Sequence, residues 1–365
     1  YRGGRYATQP TTGNVSIVPQ ADYYTYNGTS VITGPFTGTR SFADSVLMDF
    51  VLVYGTDTAT IKEHVDLDEL YDIQDALPIN LKAFSYTFDD TDIDLETRIQ
   101  TACNCARVTA YRQGQKWRFT RDEAKPVTAI FNRRNIAGTS ENEMAVSFQK
   151  PLDKNGVTIR YVDYTTGKEA YVHRSIGASS FTTDQPSRPL EIDLAGCDNA
   201  TQAENRADLE VRKLVYQRRT VKERVLMDGL NVAVGDRVKW ASIYDGDIFH
   251  GECLDIAGSQ DQFLYTSEPL WQTGTLYLHY TDTNGDVIGP VQVEGWTNGV
   301  VNSSGLAFPG MFTADDDNQA GSYLIVGTTD NLEYSDMTIT SVAPREDGTV
   351  DIEMIEYNEA IYSED

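Results

Sequence analysis

Cysteine and histidine are scarce in this sequence, which contains four of each among 365 residues. Four cysteines in a chain of this length do not indicate the disulfide framework that stabilises short secreted domains. Cys103 and Cys105 form a C-x-C pair, but no second pair and no nearby histidine completes a zinc site. We therefore expect no metal site, and we predict that Cys103 is buried on a helix and that Cys105 begins a strand. Cys197 and Cys253 are interpreted as small core residues.

Basic residues are also few, since 30 Lys and Arg stand against 55 Asp and Glu, for a formal net charge of −25. Binding to phosphates requires clusters of Lys and Arg, so this balance argues against an outer surface that binds nucleic acid. Two interpretations of the charge stay open. It provides solubility, or it forms a surface to which passing DNA does not adhere.

Long apolar runs are absent too. No run approaches the roughly 18–20 residues that cross a bilayer, so the sequence predicts no transmembrane segment. No signal peptide is visible. The chain opens on Tyr1 rather than Met, and we expect a fragment or processed piece of a longer protein.

The motifs of the common catalytic classes are missing: the G-x-S-x-G elbow, the Walker loop, the Rossmann fingerprint and the H-E-x-x-H zinc motif. A pair of catalytic carboxylates cannot be chosen among 55 acids. We predict a protein that is not an enzyme, with no catalytic, cofactor-binding or metal-binding residue. The histidines are scattered along the chain, at His64, His173, His250 and His279.

Two acidic segments invite a calcium interpretation. In residues 89–94, counted from the second aspartate, an EF-hand requires Gly and Glu where Leu95 and Thr101 stand. We therefore predict that Asp94 caps a helix instead. Residues 315–318 are interpreted as a solvated loop.

The residues that are abundant favour β structure: 28 glycines, 21 tyrosines and 13 phenylalanines, in a chain that is 40% hydrophobic. We expect a mainly β protein with some α+β character. Periodicity predicts helices over residues 41–54, 66–76, 95–102 and 200–218. Alternation predicts strands over 83–88, 106–111, 116–120, 144–149, 157–164, 169–172, 220–227, 236–240, 248–257, 262–266, 275–280, 287–293, 323–327, 337–344 and 349–357. Asn284-Gly285 predicts a type I′ turn.

The clearest helix carries a narrow stripe of mostly small, apolar residues, which would let another backbone approach closely. Asn199 is predicted to cap it, with Gln202 reaching back in a variant of the capping box. The strand that follows is predicted to place Val221, Val225 and Met227 on one face with Glu223. The stripe consists of Ala200, Ala203, Ala207, Val211, Leu214 and Arg218.

These patterns predict four parts of the chain. They are an extended N-terminal arm (1–40), a small α/β domain (41–125), β-rich domains with the helix 200–218 (126–267 and 321–365), and a hairpin and loop insertion (268–320).

Several short motifs together resemble the hub region of phage tail tip proteins of the lambda J (host specificity) family, and more distantly phage baseplate hub proteins. The resemblance runs from about Ser41 to the C-terminus and depends on the order and spacing of the motifs. Val234 stands where the family usually has proline. The matching residues are Gly196-Cys197 with Ala203, Gly229-Leu230, Gly235-Asp236 with Val238, the closing segment 356–362, and Cys103, Cys105, Trp117 and Phe119.

This resemblance implies a trimeric hub of tube-like β-barrel domains, which lets three subunits meet a six-fold tail tube. It implies roles in tail assembly, host attachment and DNA passage in the virion. The implied partners are two further copies, other tail tip and tail tube proteins, the tape measure protein, and a host receptor contacted through parts outside this sequence.

Two other functions stay open. A tail-associated cell-wall hydrolase would show a buried carboxylate pair in a cleft rather than filled barrels. A carbohydrate-binding β-protein, suggested by the 21 tyrosines, would show a row of exposed aromatic side chains on one face.

Overall fold

A computed structural model describes most of the chain, and it divides into two compact units. Unit 1 comprises residues 1–123 and 152–215, and unit 2 comprises 124–151 and 216–365. The described residues are 24–32, 34, 40–88, 93–137, 144–148, 153–178, 180–242, 248–257, 263–267, 274–296, 298–313 and 321–363.

Strands predominate over helices in the described chain, which confirms the predicted mainly β class. The α-helices are α1 (Phe42–Tyr54), α2 (Thr58–His64), α3 (Leu67–Ala76), α4 (Leu95–Cys105), α5 (Ala200–Tyr216) and α6 (Thr329–Tyr334), and 3-10 helices span Met227–Asn231 and Glu359–Tyr362. The strands are β1 (Thr25–Tyr26), β2 (Val31–Ile32), β3 (Val108–Gln113), β4 (Lys116–Arg121), β5 (Val127–Phe131), β6 (Ala145–Phe148), β7 (Gly156–Asp163), β8 (Lys168–Ile176), β9 (Phe181–Thr182), β10 (Pro189–Asp193), β11 (Arg219–Val225), β12 (Arg237–Trp240), β13 (Phe249–Ala257), β14 (Phe263–Thr266), β15 (Thr275–Thr281), β16 (Val287–Trp296), β17 (Gly299–Asn302), β18 (Tyr323–Gly327), β19 (Asp336–Pro344) and β20 (Val350–Glu356).

The helices of unit 1 form where capping and periodicity predict them. α1 ends at Gly55, whose φ of 82° is the left-handed conformation that glycine adopts readily at a helix end. The Asp94 carboxylate accepts a hydrogen bond from the Thr97 amide at 2.7 Å and begins α4, as predicted. The face of α1 that is buried includes Phe42, Val46, Leu47 and Phe50.

Two local predictions in unit 1 are wrong, and one short helix was not predicted. Residues 83–88 form no strand, because their backbone groups bond to separate segments; the Phe84 amide donates to the Arg40 carbonyl, for example. Cys105 ends α4 instead of beginning a strand, although all four cysteines are buried and free. The short helix α2 is capped by Asp57 and has no clear apolar period, so the pattern missed it.

The β structure of unit 1 is a hairpin and a four-stranded sheet, beside the short β1–β2 hairpin. In the hairpin β3–β4, Trp117 and Phe119 are buried. The sheet has the order β10-β7-β8-β9, with β10 parallel to β7. Ala203 and Ala207 of α5 are fully buried in the same core as the inner face of β7.

Asn199 caps α5, since its side chain accepts from the Gln202 amide at 3.0 Å. Gln202 does not reach back to Asn199, because its Nε2 lies within hydrogen-bond distance of the carbonyls of Leu81, Ala83 and Cys105. The predicted stripe is buried only in its middle: Ala200 is exposed. The helix ends at Tyr216, two residues short of the predicted end.

Unit 2 contains a six-stranded sheet of order β5-β12-β19-β20-β11-β6 and a closed barrel of order β13-β14-β17-β16-β15-β18. In β11, Val221, Glu223 and Val225 share one face, as predicted, and that face is buried. The prediction for Met227 is wrong, because this residue lies in a 3-10 helix after the strand and is 66% exposed.

The barrel is filled by apolar side chains. Strands β15, β16 and β17, which come from the expected insertion 268–320, close the barrel with strands on either side of them in sequence. Residues 152–215, expected with the later strands, cluster instead with unit 1. The buried cluster of the barrel comprises Phe249, Cys253, Leu264, Leu276, Leu278, Tyr280, Val293, Val300, Phe308, Leu324 and Val326.

The turn between β15 and β16 differs from the predicted type I′. That turn requires positive φ at both central residues, but of the two only Gly285 has it, at 89°. The Asp282 carboxylate instead accepts from the amides of Asn284 and Asp286 and organises a longer loop.

The acidic segment 315–318, the Val15–Val18 portion of the N-terminal arm, and residues 89–92 lie outside the described residues. No helix among the described residues is both long and apolar enough to span a membrane.

Candidate functional site: a polar cavity in unit 2

A cavity of about 570 Å³ lies in unit 2, lined by strands of both its sheet and its barrel. Its wall mixes charged residues with apolar ones. The lining residues are Pro126, Val127, Arg237, Lys239, Tyr277, His279, Val287, Gly289, Pro290, Thr329, Leu332, Glu333, Asp336 and Glu359.

Strand alternation explains why polar side chains reach this cavity. In β12, Val238 is fully buried in the core of the sheet, so Arg237 and Lys239 point to the other face. In β15, Leu278 and Tyr280 fill the barrel, so Tyr277 and His279 lie on its outer side.

An ion-pair cluster forms the charged part of the wall. The Asp336 carboxylate lies 2.8 Å from an Nη atom of Arg237 and 2.8 Å from Nζ of Lys239. Lys239 Nζ also donates to the Leu332 carbonyl at 2.6 Å, which ties β12 to the end of α6. Lys239 and Asp336 are each only 3% exposed, so the pair is held away from bulk water.

The environment changes the pKa values of both cations in opposite directions. Burial lowers the pKa of Lys239, although the Asp336 carboxylate partly offsets this effect. Burial also disfavours the charged form of Arg237, but the hydrogen bond and charge of Asp336 outweigh it and raise the pKa of Arg237. The Arg237 guanidinium additionally lies 4.1 Å from the ring centroid of Tyr357, a cation–π distance.

His279 is the unusual member of the wall. It is 7% exposed, and its Nδ1 is buried with no hydrogen-bond partner among the described residues. Burial, reinforced by the charge of Lys239, lowers the pKa of His279 to about 4, so the ring is neutral at pH 7. Gly289 covers the ring so closely that a Cβ there would lie 2.5 Å from Nδ1.

The charges of the site divide into a buried set and an exposed set. Arg237 and Lys239 share one buried carboxylate, Asp336, while Glu333 and Glu359 lie exposed at the rim. Among the residues that the structure describes, no group of three His, Cys, Asp or Glu side chains has metal-binding geometry. The arrangement can bind and orient a polar ligand through its N–H donors.

Sequence reasoning assigned no residue to this cavity, because its members come from distant segments and match no local motif. A weak signal existed in Arg-Val-Lys-Trp at 237–240, where alternation places Lys239 and Arg237 on one face. Nothing in the sequence indicated that Asp336, some hundred residues later, meets them.

Comparison with models of protein families gives a match to part of the sequence. Residues 96–247 match the model of a family described as "Putative phage tail protein", a span that includes parts of both units. No curated protein matches. The family match supports a phage tail protein, a structural role in the virion and association with other tail proteins.

Two of the solved structures that match this chain come from a virion particle and from a tail protein. A chain of the "Virion of native gene transfer agent (GTA) particle" has 12% identity and a TM-score of 0.39, covering 80% of this chain and 47% of that one. "The crystal structure of the tail protein from Neisseria meningitidis MC58" has 13% identity and a TM-score of 0.30, covering 44% of this chain and 48% of that one. The chain therefore spans about half the length of each, and such scores carry no functional argument.

Proposed function

We propose that this chain is the hub region of a phage tail tip, where three copies close the end of the tail tube. The observation that carries the proposal is the family match over residues 96–247. The ordered motifs from Ser41 to the C-terminus, including Gly196-Cys197 and Gly235-Asp236, give it the finer form of a tail tip hub. In this role the chain supports tail assembly and host attachment and lets DNA pass into the host.

The filled barrel favours a structural role over a cell-wall hydrolase. In the described residues its interior is occupied by side chains such as Phe249 and Tyr280. In the polar cavity, the buried carboxylate Asp336 is paired with two cations, whereas Glu333 and Glu359 are exposed. A glycosidase needs two carboxylates that face each other across a bound sugar.

A carbohydrate-binding protein is less well supported. Among the described residues, the large exposed aromatic side chains lie in different segments: Tyr86, Phe148, Tyr164, Tyr171, Phe312 and Tyr334. On the outer face of the four-stranded sheet, Tyr171 is paired with His173 by parallel rings 6.5 Å apart, and Tyr164 lies under the Arg40 guanidinium. Sugar-binding platforms would require several aromatic faces that are open together.

The proposal is tested in the phage that encodes the chain. Deleting the gene segment should give particles that lack a complete tail tip and fail to infect. Supplying the chain in trans should restore both properties. Intact, infectious tails without this chain would rule the proposal out, and so would its absence from purified particles by mass spectrometry.

A further inference from the structure

We propose that the polar cavity of unit 2 is a binding site for a carboxylate group, held by Arg237, Lys239 and His279. This inference does not depend on the tail role. The shared chemistry could come from a small free acid or from an Asp or Glu side chain of a partner segment, and the experiment below separates these sources.

A buried donor of Arg237 lacks an acceptor within the described part of the chain. Arg237 and Lys239 share the buried carboxylate of Asp336, and Glu333 and Glu359 add negative charge at the same cavity. A buried donor without an acceptor is costly, so a ligand that brings an acceptor oxygen would be favoured beside these cations. Arg237 Nε is itself buried and has no hydrogen-bond partner among the described residues.

His279 offers a ring nitrogen to the cavity. Because Nδ1 is enclosed beneath Gly289, Nε2 is the ring nitrogen that a ligand in the cavity can reach. With its proton on Nε2 the neutral ring presents an N–H donor there, while Nδ1 has no hydrogen-bond partner among the described residues. A carboxylate oxygen would supply an acceptor for the Nε2–H donor.

The acidic residues at the rim limit which anions the cavity can bind. Glu333 and Glu359 at the rim repel a ligand with several negative charges, which disfavours phosphates and nucleic acid. They tolerate one carboxylate and favour a positive charge beside it. Leu332, Val287 and Tyr277 supply an apolar wall that suits an aliphatic or peptide framework.

The test uses the histidine signals of the intact chain. Four histidines give four imidazole signals by NMR, and His279→Gln identifies one of them by its loss. The probes are N-acetylglutamate, its amide analogue N-acetylglutamine, and a blocked five-residue peptide with one central glutamate. We expect both acids to shift the His279 signal and the amide to leave it unchanged.

The relative affinities separate the two sources. A peptide that binds about tenfold more tightly than N-acetylglutamate points to a partner segment, whereas equal affinities point to a small free acid. The inference is overturned if neither acid shifts the His279 signal at concentrations on the order of 10 mM, or if the amide shifts it equally.

Variants at the rim add a test that does not disturb the buried cluster. Glu359→Gln removes a repelling charge and should tighten binding of the acids by about two- to threefold, whereas Glu346→Gln, in an exposed turn outside the cavity, should not. Thr329→Trp should block the cavity and abolish binding, while Asp330→Trp, its exposed neighbour outside the lining, should retain it. Unchanged binding in both Glu359→Gln and Thr329→Trp would place the probes elsewhere and contradict the inference.

Discussion

The interior of the barrel and the polar cavity lie on opposite faces of strand β15, and the two regions bury different kinds of side chain. Leu276, Leu278 and Tyr280 of β15 fill the barrel with apolar atoms, and Tyr277 and His279 of the same strand line the cavity. The barrel buries its residues mainly by apolar packing, and the Tyr280 hydroxyl donates to the Pro309 carbonyl at 3.0 Å. The cavity encloses an ion-pair cluster and, within the described residues, leaves His279 Nδ1 without a hydrogen-bond partner.

The largest effect is expected where a buried charge loses its partner. Asp336→Asn leaves Arg237 and Lys239 facing each other without a counter-charge, and should reduce the free energy of unfolding of unit 2 by about 3–5 kcal/mol. Urea unfolding, followed by probes in each unit separately, measures it. Asp330→Asn, exposed on α6, is the matched control and should change stability little. Equal effects of the two variants would show that the cluster does not stabilise the unit.

On the barrel side, removing apolar volume should matter in proportion to burial. Leu278 is fully buried, so Leu278→Ala should cost about 2–5 kcal/mol through lost contacts and a cavity. Leu306 is 64% exposed, and Leu306→Ala should be nearly neutral in the same unfolding measurement. A small effect at Leu278 would mean that the barrel is not tightly packed.

His279 should make the stability of unit 2 depend on pH. The pKa of a free imidazole is about 6.5, and in the folded chain it falls to about 4. Between these values the unfolded chain binds a proton that the folded chain does not, so stability is present above pH 6.5 and lost as the pH falls. The loss is on the order of 2–3 kcal/mol by pH 4.5.

The variant His279→Gln should lack this part of the acid sensitivity, measured as the difference in urea midpoint between pH 7 and pH 4.5. His173→Gln, in unit 1, should leave the acid sensitivity of unit 2 unchanged. An identical pH response of the parent chain and His279→Gln would contradict the buried, neutral state of the ring.

The smallest effect is expected in the loop that follows β15. Gly285→Ala forces a side chain into positive φ without a clash, and should cost about 1 kcal/mol. Asn284→Ala should cost less, because Asn284 has ordinary φ. A cost at Asn284 as large as that at Gly285 in thermal unfolding would support the type I′ turn that the sequence predicts, because that turn needs positive φ at both positions.

Local signals explain how much of the fold was predictable. Helix α4 follows from Asp94 as a cap, and the hairpin β3–β4 follows from the alternation around Trp117. Residues 83–88 alternate equally well but form no strand, because the Phe84 amide donates to Arg40, before α1, and the Ser85 amide to Gly196, before α5. Alternation indicates which face of a strand is buried, but it does not indicate which other strand pairs with it.

The cavity was not predictable for a related reason. Lys239 and Asp336 meet only because β12 pairs with β19, a long-range register that no local pattern specifies. Closure of the barrel likewise depends on the pairing of β13 with β18, across some seventy residues. The charge balance and the family resemblance therefore directed attention to assembly, and the polar cavity became visible only in the fold.

The most direct measurement of the central claim is the number of copies of this chain at the end of an assembled tail, seen by electron microscopy along the tail axis. A hub that closes a ring should show three copies related by a three-fold axis. Two or four copies in the assembled tail, or a position away from the tail tip, would contradict the account.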